Sequence, residues 1–171
     1  MSFIELSKKR YSTRSFSSKK VEEEKIQLLL EAAQSAPTAK NNQPQHIYLL
    51  QSDEALEKAK RATPCVYGAP LVFLVCINMN EVWTSSSEKG IDSADIDGSI
   101  ITTHIALEAA DIGLSSCIVR MFDSEKVKEI FALPSYMKPV LFLPVGYPSE
   151  KDQPNPRHYS RKLLSETVTK L

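Results

Sequence analysis

The sequence predicts a sheet with helices packed against it, and three observations carry that expectation. Two short runs, 71–77 (LVFLVCI) and 140–145 (VLFLPV), are apolar almost without interruption, as strands shielded by other elements are. Around them, longer stretches repeat apolar residues every three or four positions. The two kinds of stretch alternate along 171 residues, with no internal repeat and no linker before a proline-rich tail, so a single domain over 1–171 is expected.

Each element has its own local reason. Ser2 and Glu5 stand in capping-box spacing at the start of a short first helix. Residues 21–35 place Ile26, Leu29, Leu30 and Ala33 at helical spacing, and Pro37 stops the run. A short strand over 46–50 and a surface helix over 52–62 follow. The 71–77 run reads as a strand covered on both faces. Residues 92–111 form the longest helical pattern, with Gly113 where a left-handed cap would end it. A strand over 116–119, a helix over 124–132 and a strand over 140–145 complete the core. The tail after Pro148 is polar, and its closing LLSETVTKL suits either helix or strand.

Composition excludes several classes of function. Lys plus Arg equals Asp plus Glu at 21 each, without the basic excess of a dedicated nucleic-acid binder. No apolar run reaches bilayer length, and the start MSFIELSKKRYS lacks the apolar core of a secretory signal. Cys65, Cys76 and Cys117 have no CxxC spacing and are expected as free thiols of a reducing cytoplasm. His46, His104 and His158 show no metal-binding spacing, and His104, inside an apolar helix, reads as a hydrogen-bonded core histidine. No serine sits in a GxSxG elbow. Five scattered glycines form neither GxGxxG nor a P-loop.

A chain with so little reactivity of its own is a binding module, or it borrows chemistry from a cofactor. A phosphate on that cofactor would need arginine or lysine, since no glycine nest is available. Two clusters offer them: Lys8, Lys9, Arg10 and Arg14 around Ser12, and Arg157, Arg161 and Lys162 near the other end. Either cluster alone reads as solvated surface; both together in a neutral chain suggest a shared anionic site. The stretch 36–45 (APTAKNNQPQ) is rich in prolines and amides. Those residues make turns, and they also suit a flat polar ligand lying against the loop.

These pieces together resemble the FMN-dependent nitroreductase family. RYSTRSF resembles its N-terminal signature, and APTAKNNQPQ its second, in which Ala-Pro-Ser precedes a small residue, Asn and Gln-Pro. The helix from Asp97 through ALEAADIGLSSC resembles its central dimer helix, and FLPVGYP and HYSRKLLSE its last core strand and basic tail. The resemblance implies an α+β fold, with a central, mostly antiparallel sheet flanked by helices in an intertwined homodimer. FMN would lie at the interface, contacted by both chains. Arg10 and Ser12, with Tyr11 between them, match positions at its phosphate and ribityl chain. Arg14 matches one at the pyrimidine edge of the ring, where a positive charge favours the reduced, negatively charged flavin. Pro37, Thr38, Ala39, Asn41 and Gln43 would come from the partner and line the ring. Backbone N–H groups of Arg120 and Met121 would serve near N5, and Arg161 and Lys162 would reach the phosphate from the tail.

The implied activity is a ping-pong cycle in which NADH or NADPH reduces FMN, and a nitroaromatic, a quinone or another flat electron-poor acceptor takes the electrons. The same scaffold also hosts dehalogenation and flavin breakdown, and a non-enzymatic FMN-binding dimer would carry the same motifs. Three departures from the family pattern stand out. Thr38 replaces a serine, Gln45 stands where an aromatic is common, and VRMFD stands where many members carry a glycine. Residues 78–92, with Trp83, match nothing and read equally as a cover over the pocket mouth or a surface loop.

Overall fold

The computed structural model describes Met1–Leu171. Its elements run α1 (Phe3–Lys9), α2 (Glu23–Ser35), β1 (Gln45–Leu50), α3 (Asp53–Ala62), β2 (Leu71–Asn78), α4 (Ala94–Asp111), β3 (Ser115–Ser116), α5 (Ser124–Phe131), β4 (Met137–Gly146) and α6 (Leu164–Thr167). The strands make one antiparallel sheet in the order β1-β2-β4-β3. This is the α+β arrangement expected, with helices on both faces of the sheet.

The alternation of side chains along β2 explains why a whole apolar run was needed. Val72, Leu74 and Cys76 enter a core with Ala59 and Ala62 of α3, Val127 of α5 and Phe16. Leu71, Phe73 and Val75 enter a second core with Ile26 and Leu29 of α2 and Ile101 and Ile105 of α4. Burying each such aliphatic or aromatic side chain contributes about 1.5–3 kcal/mol.

Local chemistry sets the element ends. Ser2 and Glu5 form the capping box of α1, the Glu5 N–H donating to Ser2 Oγ at 3.3 Å and the Ser2 N–H to Glu5 Oε2 at 2.6 Å. α2 starts at Glu23, two residues later than the pattern suggested, and its Glu22 cap makes no side-chain cap bond. Instead the Tyr147 hydroxyl donates to Glu22 Oε2 at 2.7 Å and accepts from Lys25 Nζ at 2.9 Å. That hydroxyl, with Lys19 assisting, holds the Glu22 carboxyl down at about 2. Gly113 has φ +78° just past α4, as its place in the sequence required.

β3 is shorter than the four residues expected. Cys117 N–H donates to the Pro144 carbonyl at 3.1 Å, but proline has no N–H to return, so only an isolated bridge joins Val119 to Phe142 further on. β4 also carries a bulge, because Val75 pairs with Leu141 while Cys76 pairs with Pro139, leaving Val140 extra. α4 meets that bulge at Gly98, where a Cβ would lie 2.8 Å from Val140 Cγ1. The helix therefore lies as close to the sheet as its backbone allows.

The three cysteines are free thiols. Cys76 is buried and burial pushes its thiol up to about 12; burial likewise raises that of Cys117. His104 departs from expectation. It is half-exposed in a groove with Phe3, Leu6, Leu107, Glu108 and Asp111 and has no hydrogen bond within the chain. No helix is long and apolar enough to cross a membrane.

Candidate functional site

The segment after α1 is extended and is held against β3. Ser12 bridges Ser116 in parallel, Thr13 N–H donates to the Ser116 carbonyl at 3.1 Å, and Phe16 N–H donates to that of Tyr67 at 3.2 Å. Thr13 and Phe16 are buried, whereas Arg14 is exposed and Arg10 and Ser12 are partly buried. Arg14 Nη1 donates to the Ser12 carbonyl at 3.1 Å, and Arg14 N–H to Asp152 Oδ1 at 3.0 Å.

Arg10 is half-buried, and the fold brings Arg161 of the tail close enough for its charge to be felt there. Burial first, and then the second guanidinium, pull Arg10 below its usual range, with Cys117 acting the other way. The five ion pairs of the chain all use lysine, so neither arginine has a carboxylate partner. Two guanidiniums without carboxylate partners have the chemistry to attract an anion. Tyr11 lines a cavity with Arg10 and meets His158 edge-on at 6.1 Å between ring centres. Lys162 is exposed.

The amide-rich loop is more constrained than its prolines alone require. Lys40, Asn41 and Gln43 all have positive φ, at 53°, 54° and 50°, a conformation that non-glycine residues adopt only when their surroundings enforce it. Three clamps do so. Gln43 N–H donates to Thr38 Oγ1 at 3.0 Å, Ala39 N–H to Asp97 Oδ1 at 3.0 Å, and Asn42 Nδ2 to the Glu81 carbonyl at 3.0 Å. The loop presents Pro37, Asn41 and Gln43 outward. The Gln43 amide is turned back on the Asn41 carbonyl at 3.3 Å, so the Asn41 amide is the freer of the two.

Asp97 was not picked out in the sequence, where it is one of four aspartates between 92 and 111. It is 1% exposed, and its second oxygen accepts the Ser93 hydroxyl at 2.6 Å. Both ends of the 79–93 segment are thereby tied to the loop, through Asn42 at Glu81 and through Ser93 at Asp97. Between them the segment is a small hairpin, with Thr84 bridging Asp92. Replacing Asp97 with alanine strands the Ala39 N–H and the Ser93 hydroxyl, an expected loss of about 2–4 kcal/mol in urea unfolding. Asparagine should recover most of it, since an amide can accept from one and donate to the other. Equal losses for both variants would show that the charge matters more than the hydrogen bonds.

Arg120 and Met121 follow Ser116 along the same edge and are exposed. Thr63 Oγ1 donates to the Met121 carbonyl at 2.7 Å and fixes this turn. Beside it opens a cleft of about 350 Å³, lined by Asp95, Ser99 and Thr103 of α4, Ile118, Arg120, Val140 and Leu141.

Within one chain the predicted residues fall into two groups. Arg10 and Tyr11 share a cavity with Ala110 and Gly113 at the C-terminal end of α4, with Ser12 and Arg14 next along the same segment and Arg161 near enough for its charge to be felt at Arg10. The 37–43 loop is pinned at Asp97, near the other end. From Asp97 to Ala110 the axis advances about 20 Å.

Comparison with known proteins gives a consistent answer. The family model described as Nitroreductase family matches residues 7–65 and 56–147. A relative from Methanothermobacter thermautotrophicus, provisionally named NADH dehydrogenase/NAD(P)H nitroreductase, is 31% identical over 157 residues, covering 88% of this chain and 79% of its own. An NADPH-dependent oxidoreductase from Staphylococcus haemolyticus is 31% identical over 171 residues, covering 90% and 68%. The crystal structure of a nitroreductase family protein from Clostridium difficile 630 superposes with a TM-score of 0.92 at 40% identity, over 99% of this chain and 98% of the other. With its signature segments, sheet and central helix all accounted for, the chain belongs to the nitroreductase family.

Proposed function

We propose that the protein is an NAD(P)H-dependent oxidoreductase of the nitroreductase type that uses FMN, works as a homodimer and reduces flat, electron-poor acceptors such as nitroaromatics or quinones. The observation that carries this reading is that Arg10 and Arg161, from opposite ends of the sequence, come within reach of each other's charge and neither makes an ion pair. That fits a phosphate monoester, which a guanidinium fork binds through two oxygens at once. When bound, FMN supplies the exchange of two electrons between nucleotide and acceptor; none of the side chains described here needs to act as acid or base.

The chain's own residues would bind and orient. Arg10 and Arg161 would hold the phosphate, Ser12 the ribityl chain, and Arg14 would place a positive charge by the ring. The loop with Pro37, Thr38, Ala39, Asn41 and Gln43 would line the ring from the partner. Two features support the pairing. One is the placement of the loop and the arginines toward opposite ends of α4, about 20 Å apart along its axis, so that two antiparallel helices would bring unlike ends together. The other is the outer face of α4, where Ile96 is exposed, Ile100 and Leu107 are half-exposed, and the hydroxyls of Ser99 and Thr103 are spent on the Asp95 and Ser99 carbonyls at 2.6 and 2.8 Å. An antiparallel pair of α4 helices would bury that face and bring each loop to the other chain's arginines. The exposed apolar residues of the tail, Tyr159, Leu163, Leu164 and Val168, fit the same embrace.

The test is the visible spectrum of the purified protein, followed by anaerobic addition of NADH and NADPH in separate cuvettes, with sedimentation giving the oligomeric state. A dimer whose bound flavin bleaches with either nucleotide is the expected result. Protein that neither carries nor takes up FMN would sink the reading.

A further inference from the structure

The side chain of Arg120 has no part in the function just proposed; the family resemblance draws only on its backbone N–H, near the flavin N5. Its guanidinium lies 4.5 Å over the ring of Phe122, and that ring meets Phe142 edge-on, 5.1 Å between centres at 87°. Phe122 N–H donates to the Arg120 carbonyl at 3.0 Å, and Thr63 fixes the residue between them. The cation is therefore held on a built platform, although a solubilising surface arginine would need none. It is also uncompensated. The only carboxylate lining the same cleft, Asp95, is taken by Lys138 at 3.0 Å, and Asp123 caps α5 by accepting the Lys126 N–H at 2.9 Å. Ile118, Val140 and Leu141 give the cleft an apolar wall, and Ser99 and Thr103 put its other side on the α4 face that the proposed pairing would cover, so the partner would complete it.

We propose that Arg120 makes the site selective for substrates bearing an anionic group; this rests on the flavin-dependent reading and narrows its substrate class. A flat ring would lie along the apolar wall with its carboxylate, sulfonate or phosphate drawn to the guanidinium. In a ping-pong cycle donor and acceptor use one face in turn, so the anionic group can sit on the acceptor or be the extra phosphate that distinguishes NADPH from NADH.

The experiment uses FMN-loaded enzyme under anaerobic conditions, with nitrobenzene and 4-nitrobenzoate as matched acceptors and NADH and NADPH as matched donors. Each preference is read as a ratio of kcat/KM, so any loss common to both substrates cancels. Arg120→Gln should lower the 4-nitrobenzoate preference, or the NADPH preference, about tenfold, mainly through KM. Arg120→Glu should lower it further, and Arg120→Lys should retain most of it. The ratio that collapses identifies which substrate carries the anion. In the unmutated enzyme, raising salt from about 0.01 M to about 1 M, where the Debye length falls from about 30 Å to about 3 Å, should erode the same ratio. That arm holds even if a variant fails to fold. Ratios that stay within about twofold in every variant and at every salt concentration overturn the proposal. An enzyme without flavin, or with flavin that neither nucleotide reduces, removes the underlying reading and this proposal with it. Normal turnover without charge preference removes the proposal alone.

Discussion

Replacing Arg10 with alanine is expected to yield a folded protein that loses FMN on gel filtration. A charge-assisted hydrogen bond contributes about 1.5–3 kcal/mol, and a bidentate pair about twice that, so the dissociation constant should rise by about a hundredfold or more. Stability should not fall with it. Arg10 is half-buried, feels the charge of Arg161 and has no carboxylate to lose, so truncation relieves a like-charge repulsion rather than breaking an ion pair. Flavin fluorescence titration and the melting temperature of the FMN-free protein separate the two effects. Arg161→Ala should act in the same direction but less strongly, because Arg161 is exposed and its Nη1 already donates to the His158 and Ser160 carbonyls. Melting that falls in parallel with affinity for both variants would mean that the arginines are structural.

Phe142→Ala should cause the largest loss of stability, about 3–5 kcal/mol in urea unfolding. Phe142 is fully buried, touches the rings of Phe122 and Phe131, and exchanges two backbone hydrogen bonds of 2.9 Å with Val119. The cavity would open in the core beneath β3, where only the Val119 bridge continues the pairing, so little else can close over it. Leucine, which restores most of the volume, should cost under about 1.5 kcal/mol. A loss below about 1 kcal/mol for alanine would mean that α5 collapses into the space.

The elements that the sequence made legible are those whose signal is local. The unbroken run in β2 announced burial on both faces, the Ser2–Glu5 spacing announced a cap, and Gly113 announced a left-handed turn. The arginine pair was legible as two clusters of the right chemistry, though not as neighbours. Asp97 was not legible, because nothing in its surroundings along the chain distinguishes it from Asp92, Asp95 or Asp111. Its role comes from a loop 58 residues away. The left-handed run at Lys40, Asn41 and Gln43 was hidden for the same reason: no glycine marks it, and the clamps that enforce it lie partly outside the loop. The bulge at Val140 and the close approach of Gly98 are likewise properties of a pair of elements, and neither sequence alone states them.

The placement of the two half-sites at opposite ends of α4 has a genetic consequence on the proposed pairing. Damage to the arginine end and damage to the loop end would fall in different half-sites of a mixed dimer. A subunit crippled at one end and a subunit crippled at the other would concentrate both lesions in one site and leave the second intact. Two inactive alleles of this protein could then complement one another, whereas two lesions at the same end could not.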